Sequence, residues 1–258
     1  MELKIMTFNL RCECVADGIN QWKYRTELVR RAILEENPDI IGFQEVTRNM
    51  AKDVTAMLSD RYVVIGSGRE KNYGGEGVNI AFKKELFDII SLETFWLSDT
   101  PDVPGSRYEN LDQSTCPRIS IIAGLILKNA SKKIYFCNTH LDHMGNLARI
   151  EGTKLILDKL RKACTSDDTI IITGDLNAYP SSQVIPTFCD ASFGLSDITD
   201  GIATTFHQWG ARLGEDVKID YIFTNAGKSE KSSYIVTKYE ENGVYCSDHY
   251  PVCGFVTV

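Results

Sequence analysis

Residues 169–177 read Thr-Ile-Ile-Ile-Thr-Gly-Asp-Leu-Asn. A short run of β-branched residues is the mark of a strand buried on both faces. Gly174 permits a tight turn at its end, and Asp175 and Asn177 project from that turn. Working outward, the same grammar recurs. Residues 133–140, KIYFCNTH, form a second apolar run that ends in His140. Between the two, residues 146–163 place Leu147, Ile150, Leu155, Ile156, Leu157 and Leu160 in a pattern that predicts a helix. The first part of the chain has the same order. KIMTFN (4–9) precedes a predicted helix over 22–36, with Leu28, Ala32 and Ile33 on one stripe, which stops before Pro38. PDIIGFQE (38–45) then forms the partner strand. Asn9, Glu45, His140 and Asp175 all follow apolar runs at once, so they should sit at the ends of four strands. This echo predicts two similar sheet layers whose strand ends meet along one edge.

Further strands are expected over 3–8, 39–44, 62–65, 78–82, 119–127, 133–138, 169–173, 218–223, 233–239 and 251–256. Residues 62–127 show strands and no long helix. No low-complexity segment or Pro/Ser-rich linker interrupts the chain, so one domain over 1–258 is expected, with sheets inside and helices outside. The 43% hydrophobic and 24% charged composition is that of a globular protein. A net charge of -7 excludes the diffuse basic footprint of proteins that track long nucleic acids, and leaves room for a local basic pocket. The eight cysteines include no CxxC pair with a matching ligand set, so a zinc site is not expected and reduced thiols are. The start, MELKIMTFNL, reads as a strand rather than a signal peptide, and no stretch reaches the length of a membrane span. These features predict a cytoplasmic protein. Nothing in the pattern predicts a protein partner.

Each polar strand end has two readings. Asp175 and Asn177 could simply bond their own backbone in a turn. Asn9 alone reads as a turn residue. Glu45 could be an acid favoured at a helix start, or a hard-oxygen ligand for Mg²⁺. Ser247-Asp248-His249 could be a polar loop before the last strand, or a metal ligand beside a hydrogen-bond donor. Asp220, in Ile-Asp-Tyr-Ile-Phe (219–223), is odd inside a strand because a buried carboxylate needs a partner. Protonated His249 is the candidate. Three of the four histidines, His140, His143 and His249, fall in these motifs; the fourth, His207, lies in TTFH (204–207). Phosphoester hydrolysis explains the set economically. It needs a divalent ion, an oriented water with a base, and donors for the charge that develops on phosphate oxygens. In that reading Glu45 holds the metal, Asp175 activates the water, Asn9, Asn177 and His249 donate to the phosphate, and Asp220 orients His249.

TFN (7–9), QE (44–45), NTHLDH (138–143), GDLN (174–177), IDYIF (219–223) and SDH (247–249) together resemble the endonuclease/exonuclease/phosphatase superfamily, in order and spacing across nearly the whole chain. FWLSDTPDVPGS (95–106) with PRIS (117–120) looks like a bacterial branch of it. The resemblance implies a four-layer α/β sandwich, two mixed or antiparallel sheets face to face with helices outside, and a site at one edge. It implies a hydrolase of phosphate monoesters or diesters that needs Mg²⁺, with Mn²⁺ able to substitute. It adds Asp248 to Glu45 as a metal ligand, His140 to the catalytic group, and Arg118 to the residues near a substrate phosphate. Arg118 read alone is a solvated strand-end charge. Arg11 stands where the apurinic endonuclease branch has an acid, which argues against a second metal there. His140 replaces a tyrosine of some nucleases, a trait of the phosphatase, sphingomyelinase and deadenylase branches. The phosphorylated partner is a nucleic acid, a nucleotide or a small phosphoester, and the sequence does not choose. The rival reading is an inactive phosphate- or nucleotide-binding module on the same fold. A further choice concerns Phe95, Trp96, Pro101, Val103 and Pro104, which could form a pocket wall or a membrane-touching loop; packing on the sheet is the expectation.

Overall fold

The computed structural model describes residues 1–128, 130, 132–189, 192–229 and 233–258. Strand β1 (Glu2–Asn9) alternates by face. Leu3 and Ile5 turn inward and Met6 and Phe8 outward, as the two-residue strand period requires. Helix α1 (Trp22–Glu36) follows and ends at Asn37, which takes the left-handed conformation (φ 51°) before Pro38. It returns the chain to β2 (Ile40–Val46), which pairs parallel with β1 and sets Asn9 beside Gln44. Strands β3 (Tyr62–Gly68) and β4 (Gly77–Lys83) extend this sheet antiparallel.

The second unit repeats the first. Strands β5 (Phe87–Trp96), β6 (Ile119–Leu127) and β7 (Lys133–His140) form an antiparallel meander. Helix α3 (Asn146–Ala163) then crosses over to β8 (Thr169–Asp175), parallel to β7, with His140 beside Asp175. After the short helix α4 (Val184–Phe188) and strand β9 (Ser196–Asp197), strand β10 (Asp220–Thr224) runs antiparallel to β8 and sets Asp220 opposite Asp175. The chain then returns to the first sheet. β11 (Gly227–Lys228) and β12 (Tyr234–Ile235) pair with β15 (Val252–Thr257), which pairs with β1. A separate ribbon joins β13 (Glu240–Glu241) to β14 (Val244–Tyr245). Among the described residues the sheets run β11-β15-β1-β2-β4-β3, with β12 on β15, and β5-β6-β7-β8-β10-β9.

Three apolar layers hold four structural ones. Leu3, Ile5 and Ile80 of one sheet meet Ile121, Phe136 and Ile171 of the other. Outside the first sheet, Phe8 and Phe43 pack on α1 and on α2 (Arg48–Leu58). Outside the second, Ile122, Cys137 and Ile172 pack on α3 and α4. This is the expected four-layer sandwich. Towards one edge the inner layer turns polar. Asn138 donates to the carbonyls of Phe43 and Asn79 across the sheets and accepts from Gln44 and Thr173. The sheets approach closely here. A Cβ on Gly42 would stand 2.2 Å from Thr173 Oγ1, so only glycine fits.

Several elements depart from expectation, among them the short α4, β9, β11, β13 and β14. Helix α2 was not foreseen, because Met50, Val54 and Leu58 give only one apolar residue per turn. β5 was not foreseen either. It is an edge strand whose outward Ile89, Ile90 and Leu92 break the alternation that marks a strand. The strand expected over 233–239 pairs only at Tyr234–Ile235, since Val236 and Tyr239 turn out of the sheet to pack with the α1 layer. Phe95 and Trp96 are buried, as packing on the sheet required, while Val103 is exposed. All eight cysteines are free thiols. No helix among the described residues is long and apolar enough to cross a membrane.

Candidate active site

The two parallel strand pairs deliver their C-terminal ends to one edge, where a cleft of about 510 Å³ opens. Asn9 closes its floor. Its amide donates to Asp175 Oδ2 of the other sheet at 2.9 Å and to Glu45 Oε1 at 3.1 Å, while Arg11 N donates to its Oδ1. Glu45 sits at an irregularity in the β2–β4 pairing with φ 60°, a left-handed conformation costly for a side chain with a Cβ. That twist turns its carboxylate into the cleft, where Cys12 N donates to Oε2 at 3.0 Å. Burial opposes ionisation of Glu45, but the Cys12 amide, His249 and Asn9 outweigh it and lower its pKa.

Asp175 is the hub. Asn177, also left-handed (φ 48°), donates its backbone N–H to Asp175 Oδ1 at 2.9 Å. Its side-chain amide reaches His140 Nε2 at 3.1 Å and the Leu141 carbonyl at 3.1 Å. His140 Nε2 therefore accepts, and the ring proton lies on Nδ1. Burial, then Arg118 and Arg69, hold His140 well below its usual pKa, so it is neutral. Across the hub, His249 Nδ1 donates to Asp220 Oδ2 at 2.9 Å and its Nε2 lies 3.8 Å from Asp175 Oδ2. Burial disfavours charge on His249. Asp220, by its charge and hydrogen bond, then Asp175 and Asp248, win and raise its pKa to about 10. Burial and Asp220 push Asp175 up to about 7, against His249, Asn177 and Asn9.

The structure thus brings together Asn9, Glu45, His140, Asp175, Asn177, Asp220 and His249. Asp248 stands on the same wall with its carboxylate 3.9 Å from Arg11 Nε, and Arg118 lines the cleft. Arg11, held by Asp17, also comes within 4.0 Å of Glu45, which puts a cation where a second metal would need an acid. His207 lies behind the cleft, stacked on Tyr250 at 4.2 Å, and burial, then His249, lower its pKa to about 4. Sequence reading missed Arg69 and Glu76, paired on the glycine-rich turn between β3 and β4, and the wall of Tyr179, Phe206 and Arg212. An arginine and a glutamate inside a Gly-rich hairpin were the available signal. It also missed Arg25, a buried guanidinium on α1 that donates to the carbonyls of Leu10, Arg11, Asn20 and Cys246, tying together the two loops beside Asn9 and Asp248.

Among the described residues, two groups could hold a metal ion: Glu45, His140 and Asp175, and Asp175, Asp220 and His249, each with its ligand atoms within 4.8 Å of one another. The first fits a divalent cation. Two carboxylates, Glu45 and Asp175, are held close by the single amide of Asn9, and a cation would offset their paired negative charge.

A family model described as Endonuclease/Exonuclease/phosphatase family matches residues 6–249. The chain belongs to this family. Among solved structures, an endonuclease/exonuclease/phosphatase from Bacteroides vulgatus is 30% identical, with a TM-score of 0.91 over 100% of this chain and 99% of that one. A mannosyl-6-phosphatase from Bacteroides thetaiotaomicron is 28% identical, with a TM-score of 0.86 over 99% of this chain and 100% of that one. The L388 protein of Acanthamoeba polyphaga mimivirus is 30% identical over 254 residues, 91% of this chain and 92% of its own length. Family membership accounts for the four-layer sandwich and for a phosphoesterase-type cleft at its edge.

Proposed function

We propose that the chain, as one catalytic unit over residues 1–258, is a Mg²⁺-dependent hydrolase of phosphate esters that works by direct attack of an activated water. One observation carries the reading: Asp175 meets the Asp220–His249 pair on one side and, across the sheets, Asn9 and Glu45 on the other. Glu45 would hold the ion beside Asp175 and His140, with Asp248 on the same wall as a further carboxylate, and Mn²⁺ can substitute. When bound, it neutralises charge on the phosphate oxygens.

The chain's own groups do the rest. Asp175, with a pKa near neutrality, takes a proton from the water as its oxygen bonds to phosphorus and the ester P–O bond breaks. Asn177 fixes the Asp175 carboxylate through its backbone N–H. The amides of Asn9 and Asn177 supply neutral donors. His249, protonated and aimed by Asp220, donates from Nε2 to a phosphate oxygen. A charged donor there stabilises the transition state more than the ground state. His140, neutral and 3.6 Å from Asp175, accepts from the Asn177 amide through Nε2 and so holds that amide in place.

The relatives' names support this chemistry class. The test is a panel of phosphomonoesters and phosphodiesters with Mg²⁺, with excess chelator, and with Asp175→Asn. The expected result is hydrolysis that chelator abolishes and Asp175→Asn lowers by about 10²–10⁴ in kcat, the usual worth of a general base. Full activity in chelator would remove the metal. Inactivity on every ester would favour the binding-module alternative.

A further inference from the structure

We propose, resting on the hydrolase reading above, that the cleft selects the doubly charged terminal phosphate of a monoester over a diester, and that Arg69 and Arg118 make the selection. Arg118 is only 4% exposed, yet two of its N–H groups have no hydrogen-bond partner, Nε and Nη1. Its Nη2 donates to His143 Nδ1 at 2.8 Å. Its Nε is 3.6 Å from Asp142 Oδ2, too far for a bond, and the Asp142 carboxylate already accepts from Ser114, Met144 and Gly145. Arg69 gives Nη1 and Nη2 to Glu76 at 2.7 and 2.9 Å and leaves a buried Nε without a partner.

Both guanidiniums line the catalytic cleft. They also line, with His140, a void of about 10 Å³, room for a single oxygen atom. Burial, and then repulsion from Arg69, lower the pKa of Arg118. Each guanidinium stands beside one carboxylate, Glu76 for Arg69 and Asp142 for Arg118, and the buried N–H groups left over are unsatisfied until an anion joins them. The cleft lining carries four arginines against four carboxylates, in a chain whose net charge is -7. Charge has therefore been concentrated here.

Substrate charge decides what this arrangement favours. Near neutrality a monoester phosphate carries close to two charges and three terminal oxygens. A diester carries one charge and two such oxygens. The acids Glu45, Glu76, Asp175 and Asp248 penalise the extra negative charge of the monoester. Arg69 and Arg118 offset that penalty, and planar guanidiniums match phosphate oxygens geometrically.

The test uses the full chain with Mg²⁺ and two esters that share a leaving group, 4-nitrophenyl phosphate and methyl 4-nitrophenyl phosphate. The readout is the ratio of their kcat/KM values. Wild type should favour the monoester, and Arg69→Gln and Arg118→Lys should each cut the ratio by about tenfold or more, the scale of one charge-assisted contact. Arg69→Lys, which keeps the charge without the fork, replaces Arg69→Gln if the latter melts early. A wild-type preference for the diester, or a ratio unmoved by both substitutions, overturns the proposal. Binding of inorganic phosphate against dimethyl phosphate, by calorimetry, separates this claim from the hydrolase reading. If neither ester is cleaved but phosphate binds in preference and Arg69→Gln loses that preference, the selection stands and the hydrolase falls. If both esters are cleaved without charge preference, the selection alone falls.

Discussion

Asp220 has one carboxylate oxygen on His249 and the other, buried, without a partner. Its hydrogen bond therefore acts through the imidazole, while its charge also reaches Asp175. Asp220→Asn should lower kcat in the same direction as His249→Ala, and the double variant should fall well short of the summed losses, because the two act as one unit. Additive losses, with melting temperatures unchanged, would break the pair. The same contacts set a pH dependence in the metal-free chain. His249 rises from its ordinary 6.5 to about 10, so its contribution to stability is full below 6.5 and is lost as pH rises through 10. Asp175 rises from 3.8 to about 7, so its contribution is full below 3.8 and is lost as pH rises through 7. Both signs agree. In chelator, the melting temperature should fall between pH 6 and 10, and His249→Gln should flatten that slope; a rise would reverse the assignment. At this scale much of the site was legible. Strand ends can be read from apolar runs that stop, and a carboxylate inside a strand advertises a partner. Arg69 was not legible, because its meaning depends on a distant arginine, Arg118, that only the fold brings near.

Elements were legible where their faces differ. α1 and α3 show their buried stripes, and the strand–helix–strand echo predicted two similar sheet layers, each of which the structure builds around a parallel pair. α2 and β5 lie at the margins of the sandwich, where one apolar residue per turn suffices or where apolar residues stay exposed. Their identity comes from tertiary contact rather than local pattern. The two sheets approach closely at Gly42. Gly42→Ala would drive a methyl group into Thr173 and the Asn138 amide, which hold the cross-sheet hydrogen bonds. It should cost about 1–3 kcal/mol in urea unfolding, the usual range for overpacking. A neutral effect would mean that the sheets stand further apart at this point than 2.2 Å to Thr173 Oγ1 implies.

For the whole molecule, the echo between the two units was the most informative feature of the sequence, since it foretold both sheets and the edge where they meet. Their depth of burial also protects the thiols. Cys137, Cys246 and Cys253 are buried, and burial raises each of their pKa values. Thiol counting on denatured, unreduced protein should return eight, in keeping with the free state of all eight cysteines. A lower count would show a disulfide. The path of the chain through the two sheets has a further consequence, for synthesis. The seven-stranded sheet takes its first strands from the start of the chain but waits for β15, and the six-stranded sheet can assemble before it. Asp248 and His249 emerge from the ribosome later than every other charged group in the cleft. A nascent chain can thus shape most of its scaffold while it remains inert, and it becomes competent only when its last strand is threaded beside its first.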